Sequence, residues 1–116
     1  MHEIGIVKAV VKTVLDFAAD NGVETVSEIV MSVGELSLVV PDYLEKLYPV
    51  VVKDTPLKDT RLLLEIVPGL AECEDCDAIF NVAACEGICP DCGSQNKQVL
   101  SGTECTIKEI HIPESQ

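Results

Sequence analysis

The stretch CEDCDAIFNVAACEGICPDCGS, residues 73–94, contains two C-x-x-C pairs separated by twelve residues. The pairs are Cys73 with Cys76 and Cys89 with Cys92. Two cysteines at this spacing can turn their thiolates inward from one tight loop and share a metal. Two such loops that face each other supply a closed tetrahedral site. The stretch therefore predicts a structural zinc site with four cysteine ligands, in a small zinc-ribbon-like subdomain.

The residues around the second pair favour a tight turn. Proline fixes φ at Pro90, and glycine permits the left-handed conformation at Gly93. Two alternatives to zinc stay open for the four cysteines: a pair of disulfides, or an iron centre, because CPDCG also resembles a rubredoxin loop. A closed four-thiolate site leaves no position for water or substrate, so we expect it to stabilise structure and not to catalyse a reaction.

The composition of the chain restricts its partners and its compartment. The 116 residues carry a net charge of −12, and no Lys or Arg occurs between Leu62 and Asn96. Such a surface repels phosphate backbones and anionic headgroups, so we expect neither nucleic acid nor a membrane as a partner. No apolar run is long enough for a bilayer, and the start lacks the features of a signal peptide. We therefore expect a cytoplasmic protein, whose cysteines bind metal in preference to forming disulfides.

Hydrophobic periodicity predicts the order of the helices and strands. A first helix covers residues 4–18, a strand follows over residues 24–33, and a second helix begins at Pro41. A buried strand covers residues 61–67, and a last strand over residues 103–112 is expected to return to the first sheet. Because a helix connects the first two strands, we expect them to lie parallel.

The same periodicity predicts which side chains face inward. In the first helix they are Ile4, Val7, Val11, Val14, Leu15 and Ala18. In the first strand they are Ile29, Met31 and Val33, and in the second helix they are Leu44, Leu47 and Val51. Pro49 is expected to kink or break the second helix, because proline removes a helical hydrogen bond.

A change in composition at Pro68-Gly69 marks a boundary between two domains. We expect residues 70–100 to form the zinc-binding subdomain. Residues 1–69 together with residues 101–116 then form an α/β domain, into which the subdomain is inserted.

The first residues, Met1-His2-Glu3, have the chemistry of a second metal site. Aminopeptidase processing needs a small second residue, so we expect Met1 to be retained before His2. The α-amine of Met1, the amide nitrogen of His2 and its imidazole can chelate one ion in fused five- and six-membered rings. Nitrogen donors in a plane suit Ni²⁺ or Cu²⁺. Glu3 supplies a carboxylate for a further position, and a disordered terminal histidine is the alternative interpretation.

Together these residues resemble the HypA/HybF family of hydrogenase nickel incorporation proteins. The resemblance covers essentially the whole chain. It rests on the opening Met1-His2-Glu3, the VGELS segment at residues 33–37, the second helix begun by proline, the first C-x-x-C pair, CPDCGS at residues 89–94 and the short final strand.

The resemblance implies a fold and a function. The implied fold is α+β, with two helices on a mixed three-stranded sheet and the zinc subdomain inserted before the last strand. The implied function is that of a nickel metallochaperone for [NiFe]-hydrogenase maturation, which is not an enzyme. Ni(II) cargo would bind at Met1, His2 and Glu3, and structural Zn(II) at the cysteines, which are Cys73, Cys76, Cys89 and Cys92.

The resemblance also implies partners. They are the GTPase HypB and the large subunit of the hydrogenase, and some family members also serve urease. No phosphate-binding loop occurs in the sequence, so GTP hydrolysis would belong to the partner. We expect a monomer or a weak homodimer.

Two other functions stay open on the residues alone. One is a zinc-ribbon module for protein interaction in which the N-terminus is idle, and the other is a rubredoxin-like electron carrier. Among the remaining candidate ligands, His111 is expected to be exposed, with a role as fourth nickel ligand as the alternative. Cys85 would be a spare thiol on the zinc loop, and Cys105 a small core residue.

Overall fold

The structure, a computed structural model, describes residues 3–113. The helices and strands in chain order are α1 (Glu3–Asp20), β1 (Glu28–Gly34), α2 (Pro41–Val52), β2 (Arg61–Val67), β3 (Leu70–Cys73), β4 (Ile79–Asn81), β5 (Lys97–Val99) and β6 (Cys105–His111). Neither helix in this described part of the chain is long and apolar enough to span a bilayer. The α+β fold with two helices and a mixed three-stranded sheet is confirmed.

The larger sheet has the strand order β2-β1-β6, with β1 in the centre. At one end of β1 the N–H group of Arg61 donates to the carbonyl of Ser27 at 3.1 Å. At the other end the N–H group of Glu35 donates to the carbonyl of Val67 at 2.8 Å. Residue numbers increase in the same direction along both strands, so β1 and β2 are parallel, as the crossover helix predicts.

The last strand returns to this sheet on the other side of β1. The N–H group of Ser27 donates to the carbonyl of His111, and that of Gly34 donates to the carbonyl of Glu104, each at 2.8 Å. Residue numbers increase along β1 while those of the partners in β6 decrease, so β6 is antiparallel to β1. The predicted return of the final strand is confirmed.

Helix α1 buries a stripe that differs from the prediction at its start. Val7, Val11 and Val14 are buried as predicted, and Val10 joins them. Ile4 is 46% exposed, so its predicted inward position is wrong. The buried stripe begins instead at Glu3, because residue 3 lies one helical turn before Val7 on the same face.

Helix α2 also turns a different face inward. Leu44, Tyr48 and Val52 are buried at a spacing of four residues, whereas Leu47 and Val51, which were predicted to face inward, are only half-buried. Tyr48 takes the inner position with a partner for its hydroxyl, which donates to the carbonyl of Thr60 at 2.9 Å.

The predicted break at Pro49 does not occur, since α2 continues to Val52. Proline removes one N–H donor, so only the bond to the carbonyl four residues earlier is lost. The burial of Val52, which is 2% exposed, stabilises the turn that follows the proline.

The prediction that residues 61–67 form a buried strand is wrong in its burial. The strand exists, but Leu63 is 48% and Ile66 is 54% exposed. Strand β2 lies at the edge of the sheet and has one neighbouring strand, whereas the central strand β1 has two. In β1, by contrast, Ile29 and Val30 are both buried, although they point to opposite faces.

The chain divides into two compact units. The helical unit comprises Met1–Ser32, Val40–Glu65 and Thr106–Gln116, and the cysteine unit comprises Val33–Val39 and Ile66–Cys105. In the helical unit, α1 and α2 pack against each other. The cysteine unit contains a small antiparallel sheet with the order β4-β3-β5.

Candidate metal centre

Four cysteines converge in the cysteine unit. Cys73 is the last residue of β3 and Cys76 lies in the turn that follows, while Cys89 and Cys92 occupy the second loop. All four Sγ atoms lie within 4.8 Å of one another. Within residues 3–113 this is the one group of three or more His, Cys, Asp or Glu side chains arranged to hold a metal ion.

The distances between the sulfur atoms fit a tetrahedral ion. The Sγ atoms of Cys73 and Cys92 are 3.5 Å apart, and so are those of Cys76 and Cys89. A disulfide would need about 2.05 Å. Four thiolates about 2.3 Å from a central Zn²⁺ would be about 3.8 Å from one another. The six cysteines are free, and the arrangement favours a metal such as zinc over the disulfide alternative.

Backbone N–H groups point at the sulfur atoms and affect their pKa values. Burial raises the pKa of Cys89, but the N–H groups of Cys92 and Asp91 and the neighbouring thiols outweigh it and lower the pKa to about 7. The N–H group of Ala78 lowers the pKa of Cys76, but the neighbouring thiols and burial outweigh it and raise the pKa to about 12. The pKa of Cys89 thus lies below that of Cys76, and an incoming cation displaces the protons that the thiols still hold.

A small apolar core underlies the four sulfur atoms. It consists of Ala71, Cys73, Phe80 and Cys89, with Ala78, Val82 and Cys85 packed against it. The thiol of Cys85 lies outside the group of four, so this cysteine contributes to the core. Gly93 has a φ of 76°, the left-handed conformation predicted for the turn after the second pair.

The residues predicted for nickel are described only in part. Met1 and His2 lie outside the described residues. Glu3 is the first residue of α1 and is 4% exposed, and its Oε2 accepts a hydrogen bond from the N–H group of Val40 at 3.2 Å. This bond connects the start of α1 to the residue before α2.

His111 and Cys105 are the last and the first residue of β6. His111 is half exposed, with Nε2 2.7 Å from Oε1 of Glu109 and Nδ1 3.6 Å from Oε1 of Glu28. Cys105 is half-buried, and burial raises the pKa of its thiol.

Sequence reasoning missed a role for Glu35, which lies in the VGELS segment. Its Oε1 accepts hydrogen bonds from the N–H group of Gly69 at 3.0 Å and from Nδ2 of Asn81 at 2.9 Å. The bond from Gly69 and the bond from Asn81 hold the pKa of this carboxyl below its usual range. The sequence offers a weak signal at most, because the two donors follow it by 34 and 46 residues.

Comparison with known proteins agrees with this arrangement. Residues 1–112 match the profile of the family described as hydrogenase/urease nickel incorporation, metallochaperone, hypA. The hydrogenase maturation factor HypA of Geotalea uraniireducens is 38% identical over 112 residues, which cover 97% of this chain and 99% of the relative. That of Aquifex aeolicus is 31% identical, covering 97% of both chains.

Solved structures show the same fold. The solution structure of the Ni metallochaperone HypA from Helicobacter pylori superposes with a TM-score of 0.67 and covers 97% of each chain, at 23% identity. The profile match over 112 of the 116 residues and the identity of these relatives are sufficient to place the sequence. This chain belongs to the HypA family of hydrogenase and urease nickel incorporation metallochaperones.

Proposed function

We propose that this chain binds Ni²⁺ at its N-terminus and delivers it to the large subunit of [NiFe]-hydrogenase during maturation. The observation that carries the proposal is the match of residues 1–112 to a family of nickel incorporation proteins, because the matched segment includes Met1, His2 and Glu3. The family description also names urease, which makes the urease apoprotein the second candidate recipient.

The proposed nickel ligands are the α-amine of Met1, the amide nitrogen and imidazole of His2, and Glu3. The three nitrogens form two fused chelate rings, which favour the planar geometry of Ni²⁺. Binding requires that the α-amine and the imidazole be free of their extra protons and that the amide nitrogen of His2 give up its N–H proton. An open chelate of this kind suits capture and release, as delivery of a cargo ion demands.

The start of α1 supports this use of the N-terminus. Helix α1 begins at Glu3, so the α-amine of Met1 precedes the positive end of the helix dipole, which favours loss of the amine proton. The bond from the N–H group of Val40 holds the Glu3 carboxylate at the start of α1. Glu3 is thereby assigned two tasks, as a hydrogen-bond acceptor within the fold and as a nickel ligand.

The second metal in this proposal is a resident zinc ion at Cys73, Cys76, Cys89 and Cys92. Zinc bound by four thiolates stabilises the loops that surround it and has no position for a substrate. We propose residues 70–100 as the zinc-binding subdomain, and residues 1–69 with 101–116 as the nickel-binding domain. The protein would act in the cytoplasm with the GTPase HypB, without catalysing a reaction itself.

The replacement His2→Ala is expected to abolish stoichiometric binding of Ni²⁺, because it removes one chelate ring and the imidazole donor. Alanine is also small enough at position 2 to permit removal of Met1, which takes the original α-amine with it. Calorimetric titration of Ni²⁺ into the zinc-loaded protein measures the effect. The matched control is His111→Ala, which removes the other histidine of the chain and should leave nickel binding intact. Equal binding by wild type and His2→Ala would contradict the proposal and favour an interaction module with an idle N-terminus.

Delivery is tested separately from binding. In cells that depend on this protein, the His2→Ala variant should leave the hydrogenase large subunit without nickel, whereas His111→Ala should restore its nickel content. A hydrogenase that acquires nickel equally with either variant would argue against delivery through this site.

The replacement Glu3→Gln separates the two tasks of Glu3. Glutamine retains a carbonyl oxygen for the N–H group of Val40, so the free energy of unfolding should change by less than about 1 kcal/mol. Its neutral amide is a poor ligand for Ni²⁺, so the dissociation constant should rise by about tenfold or more. Unchanged nickel affinity in this variant would remove Glu3 from the ligand set and leave it with a structural role.

A further inference from the structure

The side chain of Asp75 joins the two cysteine loops. Asp75 lies between Cys73 and Cys76 in the first loop. Its Oδ2 accepts one hydrogen bond from Oγ of Ser94 and another from Nδ2 of Asn96, the latter at 3.3 Å. Both donors belong to the segment that follows the second loop. We refer to the bond between the side chains of Asp75 and Ser94 as the Asp75–Ser94 clasp.

The backbones of the same two residues contact the sulfur atoms. The N–H group of Asp75 donates to Sγ of Cys73 at 3.4 Å, and the N–H group of Ser94 faces Sγ of Cys92 and acts to lower the pKa of that thiol. These two sulfur atoms are themselves 3.5 Å apart. The clasp therefore holds together two residues whose N–H groups point at one edge of the four-cysteine site.

Further bonds fix the segment that carries Ser94. Its Oγ accepts a hydrogen bond from the N–H group of Asn96 at 3.1 Å, and its carbonyl accepts one from the N–H group of Cys89 at 2.9 Å. The carbonyl of Asn96 in turn accepts a hydrogen bond from the N–H group of Glu74 at 3.0 Å. Ser94 is thus held on both loops, with the clasp as its side-chain connection to the first.

The opposite edge, between Cys76 and Cys89, is built without such a connection. The N–H groups that face its sulfur atoms come from their own loops, from Ala78 for Cys76 and from Asp91 for Cys89. Within residues 3–113 no hydrogen bond between side chains other than the thiols joins the two loops at that edge. Asp91 occupies the same place in the second C-x-x-C as Asp75 does in the first, yet forms no clasp.

We propose that Asp75 is a positioning residue that slows the exchange of the metal at the four-cysteine site by holding the Cys73–Cys92 edge closed. Loss of an ion from a closed thiolate site begins when one sulfur atom moves away from it. Cys73 and Cys92 lie on different loops, so parting of the loops separates them, and the clasp opposes that movement. This inference rests on the proposal that these cysteines bind zinc.

The test is the rate at which the zinc-loaded protein releases Zn²⁺ to a chromogenic chelator in excess. Asp75→Ala is expected to accelerate release by about tenfold, since residues that orient metal ligands typically change metal affinity by 10-fold to 100-fold. Ser94→Ala should also accelerate release, and the double variant should accelerate it by less than the product of the two single effects, because both changes break the Asp75–Ser94 clasp. Asp75→Asn retains an acceptor oxygen for Ser94 and should restore slow release.

The matched control is Asp91→Ala, which removes one carboxylate from the equivalent position and should release zinc at the wild-type rate. In the Co²⁺-loaded protein, Asp75→Ala should shift the thiolate-to-cobalt absorption bands, whereas Asp91→Ala should not. An unchanged release rate or an unshifted spectrum in Asp75→Ala overturns the proposal, and so does equal acceleration in the two alanine variants. If the wild-type protein retains no zinc after purification, both the proposed zinc site and the proposed role of Asp75 are overturned.

Discussion

The replacement Cys89→Ser is expected to abolish zinc binding and to unfold the cysteine unit. Cys89 is 2% exposed and belongs both to the group of four sulfur atoms and to the small core with Ala71, Cys73 and Phe80. A structural zinc site contributes about 10–16 kcal/mol in small zinc-binding peptides. That exceeds what four small core residues provide, so the unit should not stay folded without the ion.

The expected readouts are metal content and backbone amide spectra. Wild type should contain one zinc ion per chain and Cys89→Ser none, and the dispersed amide signals of β3, β4 and β5 should collapse. Removal of zinc from the wild type with a strong chelator should reproduce the collapse. Cys85→Ser is the matched control, because Cys85 packs against the same core from outside the sulfur group and should keep its zinc. Full zinc occupancy in Cys89→Ser would refute the assigned ligand set.

The second large effect is expected from Gly102→Ala, which should lower the free energy of unfolding by about 3 kcal/mol or more. Gly102 has a φ of 85°, and a Cβ atom there would lie 2.6 Å from Cα of Gly69 and 2.7 Å from the carbonyl oxygen of Pro68. These atoms belong to the backbone, so they cannot move aside as a flexible side chain does. A Cβ atom at Gly34 would likewise lie 2.3 Å from the carbonyl oxygen of Gly102.

The matched control for this variant is Gly93→Ala in the same unit. Gly93 has a φ of 76°, but a Cβ atom there would have no neighbour within 4 Å. It should therefore cost only the strain of a left-handed alanine, about 1 kcal/mol. Urea unfolding measures the free energy of unfolding of both zinc-loaded variants. The difference between the two losses is the cost of the steric clash at Gly102. Equal losses of stability would contradict the prediction. They would mean that the backbone near Gly34, Gly69 and Gly102 can move apart to make room for a Cβ atom.

The order of α1, β1, α2, β2 and β6 could be predicted because each depends on residues close together in the chain, whereas the short strands β3, β4 and β5 were not predicted. Pro41 begins α2 and Gly93 takes a left-handed conformation as their covalent structures require. The two C-x-x-C pairs are local in the same sense, and their spacing alone indicates four converging sulfur atoms. The proposed nickel ligands Met1 and His2 stay a prediction, since they lie outside the described residues.

Burial could not be predicted as well, because it depends on what covers a residue and not on the residue itself. The run RLLLEIV has the composition of a buried strand, yet it lies at the edge of its sheet and exposes Leu63 and Ile66. In α2, periodicity alone did not distinguish the face with Leu47 from the face with Tyr48. The hydroxyl of Tyr48 finds the carbonyl of Thr60, which only the folded chain brings near.

The sequence by itself determined the chemistry of this protein: thiolates paired at loop spacing, an N-terminal histidine, a strongly acidic surface and the order of two helices and their strands. The tertiary structure alone decided which polar groups meet across the chain. Glu35 reaches Gly69 and Asn81, and the Asp75–Ser94 clasp joins residues 19 apart. The physical reason is that a hydrogen bond requires two groups within about 3 Å, and for distant residues that proximity is created by the packing of the whole chain.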